Sequence, residues 1–430
     1  MNSTKKLVGR IWRHFMRDSL YRNSIFLLLN MGVTAISGFL FWIIAAHLFS
    51  TVNVGKATAL YSAVGLIGAL SNLGLARTVV RFLAKSEDKS RDIVTKIILS
   101  ILGALFFSLL ISIFLPHFKF RNASLLLVAT LCISGVVFTL KNLLDSIFIA
   151  LRSSSDTLIE NSVTNTTRLV LLFVFASSGY LGIFISQIAG AFLALIAGVI
   201  ILVSKHGIIL TSKPSTTTMA GLWSFSIGSY LNDLVGGLPS TVVPLLVVTK
   251  LGPTSSAYWY ISMQVATVLF LICASINQSL FAEAAYQEDT LLVHTKKAAK
   301  AMSAIVVPLA VVVIVLAPKI LGIFGAQYQE ATSALRLLTL SSLLVAGNYI
   351  TGTILNIFKK IWYLTIVNAV NLGVVVVGVA LLGTNLNRIA EIWLIGEVVN
   401  IVLFGGGVLY ALSKKKPIGE LLACEEPANV

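Results

Sequence analysis

The chain has 430 residues, of which 57% are hydrophobic and 11% charged, with a mean hydropathy of +0.92 and a formal net charge of +15. Soluble domains carry about a quarter charged residues, and a single core stops growing near about 250–300 residues, so this much apolar surface must be solvated by lipid. That excludes a disordered chain and a nucleic-acid-binding globule, and it turns the excess of cations into a question of membrane topology.

Residues 1–23 open the chain with KKLVGRIWRHFMRDSLYR. There Leu7, Ile11, Trp12, Phe15 and Met16 fall near one helical face, and Lys6, Arg10, Arg13 and Arg17 largely on the other. This is the pattern of a helix lying on an anionic leaflet, or of a frayed basic tail. Twelve apolar stretches follow, each about 20 residues or more, the length that crosses a bilayer as a helix. They cover 24–49, 56–75, 93–115, 123–151, 158–178 and 181–204, then 222–248, 255–282, 298–317, 331–357, 361–382 and 389–412. The fifth is polar enough (ENSVTNTTR) to be read as a loop instead. Continuous apolar runs of this kind are not the alternating strands of a β-barrel. No cleavable signal peptide is expected, because the first run is too long for an h-region. Cys132, Cys273 and Cys424 form no disulfide framework.

With both termini placed in the cytoplasm, 23 of the 32 Lys and Arg residues fall on the cytoplasmic side, six on the other and three within spans. That asymmetry fits the positive-inside rule. The polar connector 205–221 separates a six-helix lobe at 24–204 from another at 222–412, with a tail at 413–430. The halves echo one another: Pro116 matches Pro318, Leu48 and Thr51 match Leu251 and Thr254, and Asn165 matches Asn371. The expected architecture is an all-α membrane protein of about twelve helices, built as two lobes related by an axis along the membrane normal, with a cavity between them.

Ionisable residues at bilayer depth are costly, which makes each one a functional candidate. Lys141 and Asp145, four apart on the fourth span, either neutralise one another at a seam or line a passage. On the fifth span Glu160, Thr164 and Arg168 form a stripe flanked by Asn161, Asn165 and Thr167. Arg168 lies about halfway along and is the best phosphate-binding candidate, since a guanidinium holds phosphate through two parallel hydrogen bonds. Asp233, near the middle of the seventh span, precedes Gly236, Gly237, Pro239 and Pro244, which weaken or bend a helix. A carboxylate there suits cation or proton coupling, or simple helix bonding; Asp145 and Glu397, with Asn400 on the face of Glu397, are further coupling candidates. Arg77 and Arg81 end the second span and either anchor topology or meet an anionic headgroup. Arg336 either snorkels or joins the anion-binding set. Motifs for catalysis, cofactors or metals (GxxxxGK[ST], HExxH, CxxC) are missing, so no enzyme activity is expected.

The stretch NSIFLLLNMGVTAISGFLFWIIAAHLFSTVNVGKATALYSAVGLIGALSNLGLARTVVRFLAK resembles the opening of the bacterial lipid-linked oligosaccharide flippases, a family of polysaccharide-biosynthesis proteins in the multidrug/oligosaccharidyl-lipid/polysaccharide (MOP) exporter superfamily. Leu73, Gly74, Leu75 and Arg77 fit the family's ending of the second helix, and LGPTSSAYWYISMQVATVLF is similar to its turn between helices seven and eight. These motifs are diffuse, and no substrate residue transfers by them. The resemblance implies export of glycans carried on polyprenyl pyrophosphate across the bacterial inner membrane, for O-antigen (lipopolysaccharide), capsule or related assembly. Membrane lipids, a glycan polymerase and glycosyltransferases are its implied partners. The rival readings are a cation-coupled multidrug or metabolite antiporter of the same superfamily, a major-facilitator carrier, and a non-transporting scaffold. RTVVRFLAKSEDKSRD lacks the major-facilitator loop, and interior polar stripes argue against the scaffold.

Overall fold

The computed structural model describes residues 19–114, 116, 125–214, 217–286 and 291–414. The expected basic segment up to residue 18 and the tail beyond 414 lie outside them. Among the described residues the regular structure is helical, in thirteen α-helices. In the first half these are α1 (Ser19–Leu48), α2 (Thr51–Ser71), α3 (Leu75–Phe82), α4 (Lys89–Ser112), α5 (Leu125–Ala150), α6 (Ser154–Val174) and α7 (Gly179–Ser204). Then come α8 (Thr217–Leu251), α9 (Pro253–Tyr286), α10 (Leu291–Gly322), α11 (Thr332–Ile357), α12 (Ile361–Leu382) and α13 (Leu386–Lys414).

Eleven described helices are long and apolar enough to cross a membrane. Two helices are left out: α3, with eight residues, and α6, which has 21 residues and so spans about 30 Å. The latter packs against α1 and α7 despite its polar sequence, completing a set of twelve with eleven apolar neighbours. Leu102, Phe106 and Leu109 on α4, and Val311, Val312 and Val315 on α10, are exposed. Rows of bare aliphatic side chains of this size are stable only against lipid. This is a multi-pass membrane protein.

The chain forms two compact units, one up to Ile261 together with Leu321–Glu330, the other Ser262–Ile320 with Ala331 onward. At the centre of the first, Leu60, Val64 and Ile67 of α2 meet Ala104 of α4, Leu131 of α5, Phe184 of α7, and Leu245 and Val248 of α8. In the second, Leu280 of α9, Leu291 and Ala298 of α10, Ile354 and Leu355 of α11, Leu364 and Val367 of α12 and Phe404 of α13 form a separate core.

Local chemistry explains two features that the hydropathy pattern alone does not reveal. Ser50 caps α2 by accepting from the Asn53 amide at 3.3 Å. At its other end, α2 does not run on into the basic residues: Leu73 and Gly74 take left-handed conformations, φ 47° and 76°. Glycine tolerates that geometry and leucine rarely does, so the chain turns sharply and restarts as the short helix α3. The Asn72 side chain accepts from the Ala76 amide at 3.0 Å, satisfying an N-terminal donor of α3. Leu75 and Val79 sink into a cluster with Leu143, Leu144, Ile147 and Phe148 of α5, leaving Arg77 and Arg81 on the open face. The helix α8 continues through Pro239 and Pro244, while the Ser240 and Thr241 hydroxyls donate to the Gly237 and Leu238 carbonyls.

The two turns that match each other in the sequence, before α2 and before α9, abut within the first unit. Gly55 lies so close to the Pro253 carbonyl that a Cβ at 55 overlaps it. Backbone cannot yield as a side chain can. Gly55→Val is therefore expected to destabilise the protein by roughly 1–3 kcal/mol through overpacking. Gly237→Ala, where nothing lies within 4 Å, is expected to be neutral or stabilising in the same thermal unfolding measurement.

Candidate functional site

The polar stripe of α6 faces α1, α5 and α7, all within the first unit. Near its N-terminal half, Lys141 Nζ of α5 donates to Asp145 Oδ2 at 2.7 Å and to Asn161 Oδ1 at 2.7 Å, and the Asn161 amide donates back to Asp145 Oδ1 at 3.3 Å. The triad is closed: cation, anion and amide satisfy one another. One residue before Asn161, Glu160 is fully buried, and neither carboxyl oxygen has a hydrogen-bond partner among the described residues. Its charged neighbours are Asp145 and Lys141.

Two turns further along α6, Arg168 is 8% exposed. Its Nη1 donates to Gln187 Oε1 of α7 at 3.3 Å, and its guanidinium carbon lies 5.5 Å from the centre of the Phe41 ring on α1. Nε and Nη2 have no hydrogen-bond partner among the described residues. Those two atoms form one edge of the guanidinium fork, the edge that grips an oxyanion with two parallel bonds. Around it stand the phenols of Tyr61 on α2 and Tyr260 on α9, the latter 4.7 Å from Trp42 between ring centres. Gly38 on α1 leaves open the space beside Nη2. Asn165 donates to Thr34 of α1 over 3.5 Å. Tyr61, Tyr260, Phe41 and Gln187 escape sequence reasoning because they come from four other helices; Gln187, an amide inside an apolar span, is the one with a local signal.

The other candidates are dispersed. Asp233 of α8 pairs with Arg77 of α3, so a coupling candidate and an anion-binding candidate neutralise each other. Arg81, on the same open face of α3, stacks over Phe82 at 5.5 Å. In the second unit, Glu397 Oε2 accepts from Asn348 Nδ2 at 2.7 Å, and the nearby Asn400 is buried with its oxygen unpartnered among the described residues. Arg336 is exposed and donates through Nε to the Ile314 carbonyl at 3.1 Å. Lys96, counted by charge on the cytoplasmic side, is fully buried and bonded to Asp92 at 2.5 Å. An i,i+4 partner on α4 allows that burial.

The family model for polysaccharide biosynthesis proteins matches residues 20–281, more than half of the chain. The chain belongs to this family. No individually curated protein matches it. Among solved structures, the chain is similar to the lipid II flippase MurJ in an inward closed conformation, with a TM-score of 0.72 at 15% identity over 90% of this chain and 87% of that one. It is also similar to an inward-facing multidrug resistance MATE transporter of the MOP superfamily, at 0.68 and 15% over 94% and 99%. An outward-facing MATE transporter gives 0.62 and 17% over 94% and 98%. The chain thus has the fold of MOP exporters, as its opening stretch implies.

One further cluster fixes where the α6 stripe sits. Asp156, in the first turn of α6, accepts from Lys205 at 2.6 Å, from His206 at 2.8 Å and from Ser153 at 2.7 Å. Asn23 of α1 accepts from the Ser154 amide at 3.3 Å. An acid at a helix start and a base at the end of α7 also suit both helix dipoles.

Breaking the Lys141–Asp145 pair from one side leaves a largely buried charge without its counter-ion. Lys141→Met is expected to cost about 3 kcal/mol, and Lys141→Met with Asp145→Leu to recover most of it, read as thermal unfolding in detergent. At Asp156, burial raises the carboxyl but Lys205, His206 and Ser153 outweigh it, holding it below its ordinary 3.8. A depressed carboxylate contributes stability above its unfolded-state pKa and loses it as pH falls through the folded value. Asp156→Asn is therefore expected to lower Tm at pH 7, with the gap from wild type closing below about pH 4. A gap that does not narrow at all as pH is lowered from 7 to about 3 contradicts this role.

Proposed function

We propose that the protein is a flippase that carries polyprenyl-pyrophosphate-linked oligosaccharide across the bacterial cytoplasmic membrane by alternating access, with both termini cytoplasmic. The product supplies O-antigen, capsule or another surface polysaccharide, between the glycosyltransferases that build the glycan and the polymerase that extends it. Family membership supports the glycan, and Arg168 supports the diphosphate. A guanidinium 8% exposed with the Nε–Nη2 edge unsatisfied is the observation that carries the reading. Buried donors of this kind call for an acceptor, and a phosphate is the one a lipid-linked sugar brings. Tyr61 and Tyr260 beside it, both partly exposed, offer flat faces of the kind on which sugar rings rest. Asn165 and Lys141 extend the polar lining. The polyprenyl tail stays in the bilayer, so only headgroup and glycan need the protein.

The cation-coupled antiporter of the same superfamily is the second reading, favoured by Glu397, whose partner is the Asn348 amide and not a cation. Asp145 and Asp233, each held by a base, belong to coupling only if the cycle parts them.

Arg168→Ala is expected to abolish surface glycan while expression and membrane insertion persist, and Arg168→Lys to restore it in part, because an ammonium lacks the planar fork. Surface polysaccharide is scored by immunoblot in a deletion strain carrying each variant. Wild-type glycan in the Ala variant refutes the phosphate role. Unchanged glycan in the deletion strain, with altered sensitivity to cationic drugs, favours the antiporter.

A further inference from the structure

The charges around Glu160 do not balance if every carboxyl there is ionised. Its side chain is fully buried, and neither of its oxygens has a hydrogen-bond partner among the described residues. The neighbouring cation, Lys141 of α5, is already committed: its Nζ donates to Asp145 and to Asn161 at 2.7 Å each. The neighbouring anion is Asp145 itself, within reach of a hydrogen bond that two ionised carboxylates cannot make, since both are acceptors only. The other helices packed against α6 bring no further charge. No ionisable residue of α1 lies between Asn23 and His47, and none of α7 between Tyr180 and Lys205. From α7 it is Gly198 that packs on Glu160, where a Cβ would lie 3.4 Å from the carboxyl carbon. On α6 itself, Asp156, one turn earlier, is bonded to Lys205 and His206, and Arg168, two turns later, to Gln187. Two carboxyl groups thus share one lysine. An unpaired carboxylate sealed from water is so costly that the group takes up a proton instead.

We propose that Glu160 holds a proton in this conformation, donating it to Asp145, and that Lys141 makes the two carboxyls a proton relay. The negative charge of Asp145 is offset by Lys141, and Glu160 is a neutral acid beside that pair. When Lys141 Nζ turns from Asp145 to Glu160, the proton crosses from the Glu160 carboxyl to the Asp145 carboxyl and the negative charge passes the other way. The seam holds one cation, one anion and one acid before and after, so no net charge is created in it. The two carboxyls differ in access: Glu160 is sealed, whereas the Asp145 side chain is 24% exposed and is placed to give the proton up. Ionisable groups chained in this way at bilayer depth are the parts of a proton path. Use of the relay in transport rests on the flippase reading; the charge state of Glu160 does not.

The test is infrared spectroscopy of the full chain in nanodiscs at pH 7, where a protonated carboxyl shows a carbonyl stretch that an ionised carboxylate lacks. The difference between wild type and Glu160→Gln is expected to contain the band of one carboxylic acid, slow to shift in heavy water because the group is sealed. Absence of that band overturns the proposal. Lys141→Met with Asp145→Leu, which takes both neighbours away, is expected to keep the band, because a neutral acid needs no cation; its loss also overturns the proposal. Asp145→Asn frees Lys141 for Glu160 and is expected to abolish the band. A full band in that variant means that the lysine does not reach Glu160, and the relay is overturned. Surface glycan is expected to be lost in Glu160→Gln, which cannot pass a proton on, and wild-type glycan there overturns the relay's part in transport. The band is read again in Arg168→Ala, so that failure of the substrate reading, seen in the glycan, and failure of the relay, seen in the band, are told apart.

Discussion

Hydrocarbon offers no hydrogen-bond partner, so every polar group carried to bilayer depth has to find one inside the protein or in a passage it lines. The first unit is arranged around that demand. A polar helix of 21 residues, α6, lies against α1 and α7. Two of its polar side chains are answered in full: Asp156 by Lys205 and His206, and Asn161 by the Lys141–Asp145 pair. Where the answers stop, at Glu160 and on the Nε–Nη2 edge of Arg168, the protein holds polar atoms for which packing gives no account.

Packing also decides how closely the seams approach. Small residues let helices touch where dispersion and buried hydrogen bonds, not hydrophobic burial, hold them together in lipid. Gly190 of α7 faces the Thr164 carbonyl and the Arg168 Cβ of α6, and Gly55 faces the Pro253 carbonyl. The first contact sets the depth of the arginine. The second joins the two turns that mirror each other in the sequence.

The ion pairs divide by exposure, and exposure suggests what each can do. Lys96–Asp92, with the lysine side chain fully buried, is part of the scaffold. Taking one partner away there leaves an uncompensated charge. Arg77–Asp233, half open, is a contact that can be exchanged at small cost. Lys141–Asp145 lies between these limits, closed by a third group, Asn161.

Much of the fold was legible in the sequence because membrane helices are written locally. Runs of about 20 apolar residues marked eleven helices, and the 3.6-residue period placed Glu160, Thr164 and Arg168 on one face of a twelfth. Lys141 and Asp145 were readable as a pair for the same reason, since i,i+4 neighbours meet whatever surrounds them. Hydropathy could not reveal that α3 is a separate helix, because its cause is backbone geometry at Leu73 and Gly74. Nor could it show that Asp233 answers Arg77, that Lys96 is buried, or that Tyr61 and Tyr260 stand beside Arg168. These depend on which face of one helix meets which face of another, a choice made by side-chain packing between segments far apart in the chain. The sequence by itself determined that this is a membrane protein and which helices carry charge into it; the tertiary structure alone decided which of those charges are already answered, because partnership across helices is set by contact and not by spacing.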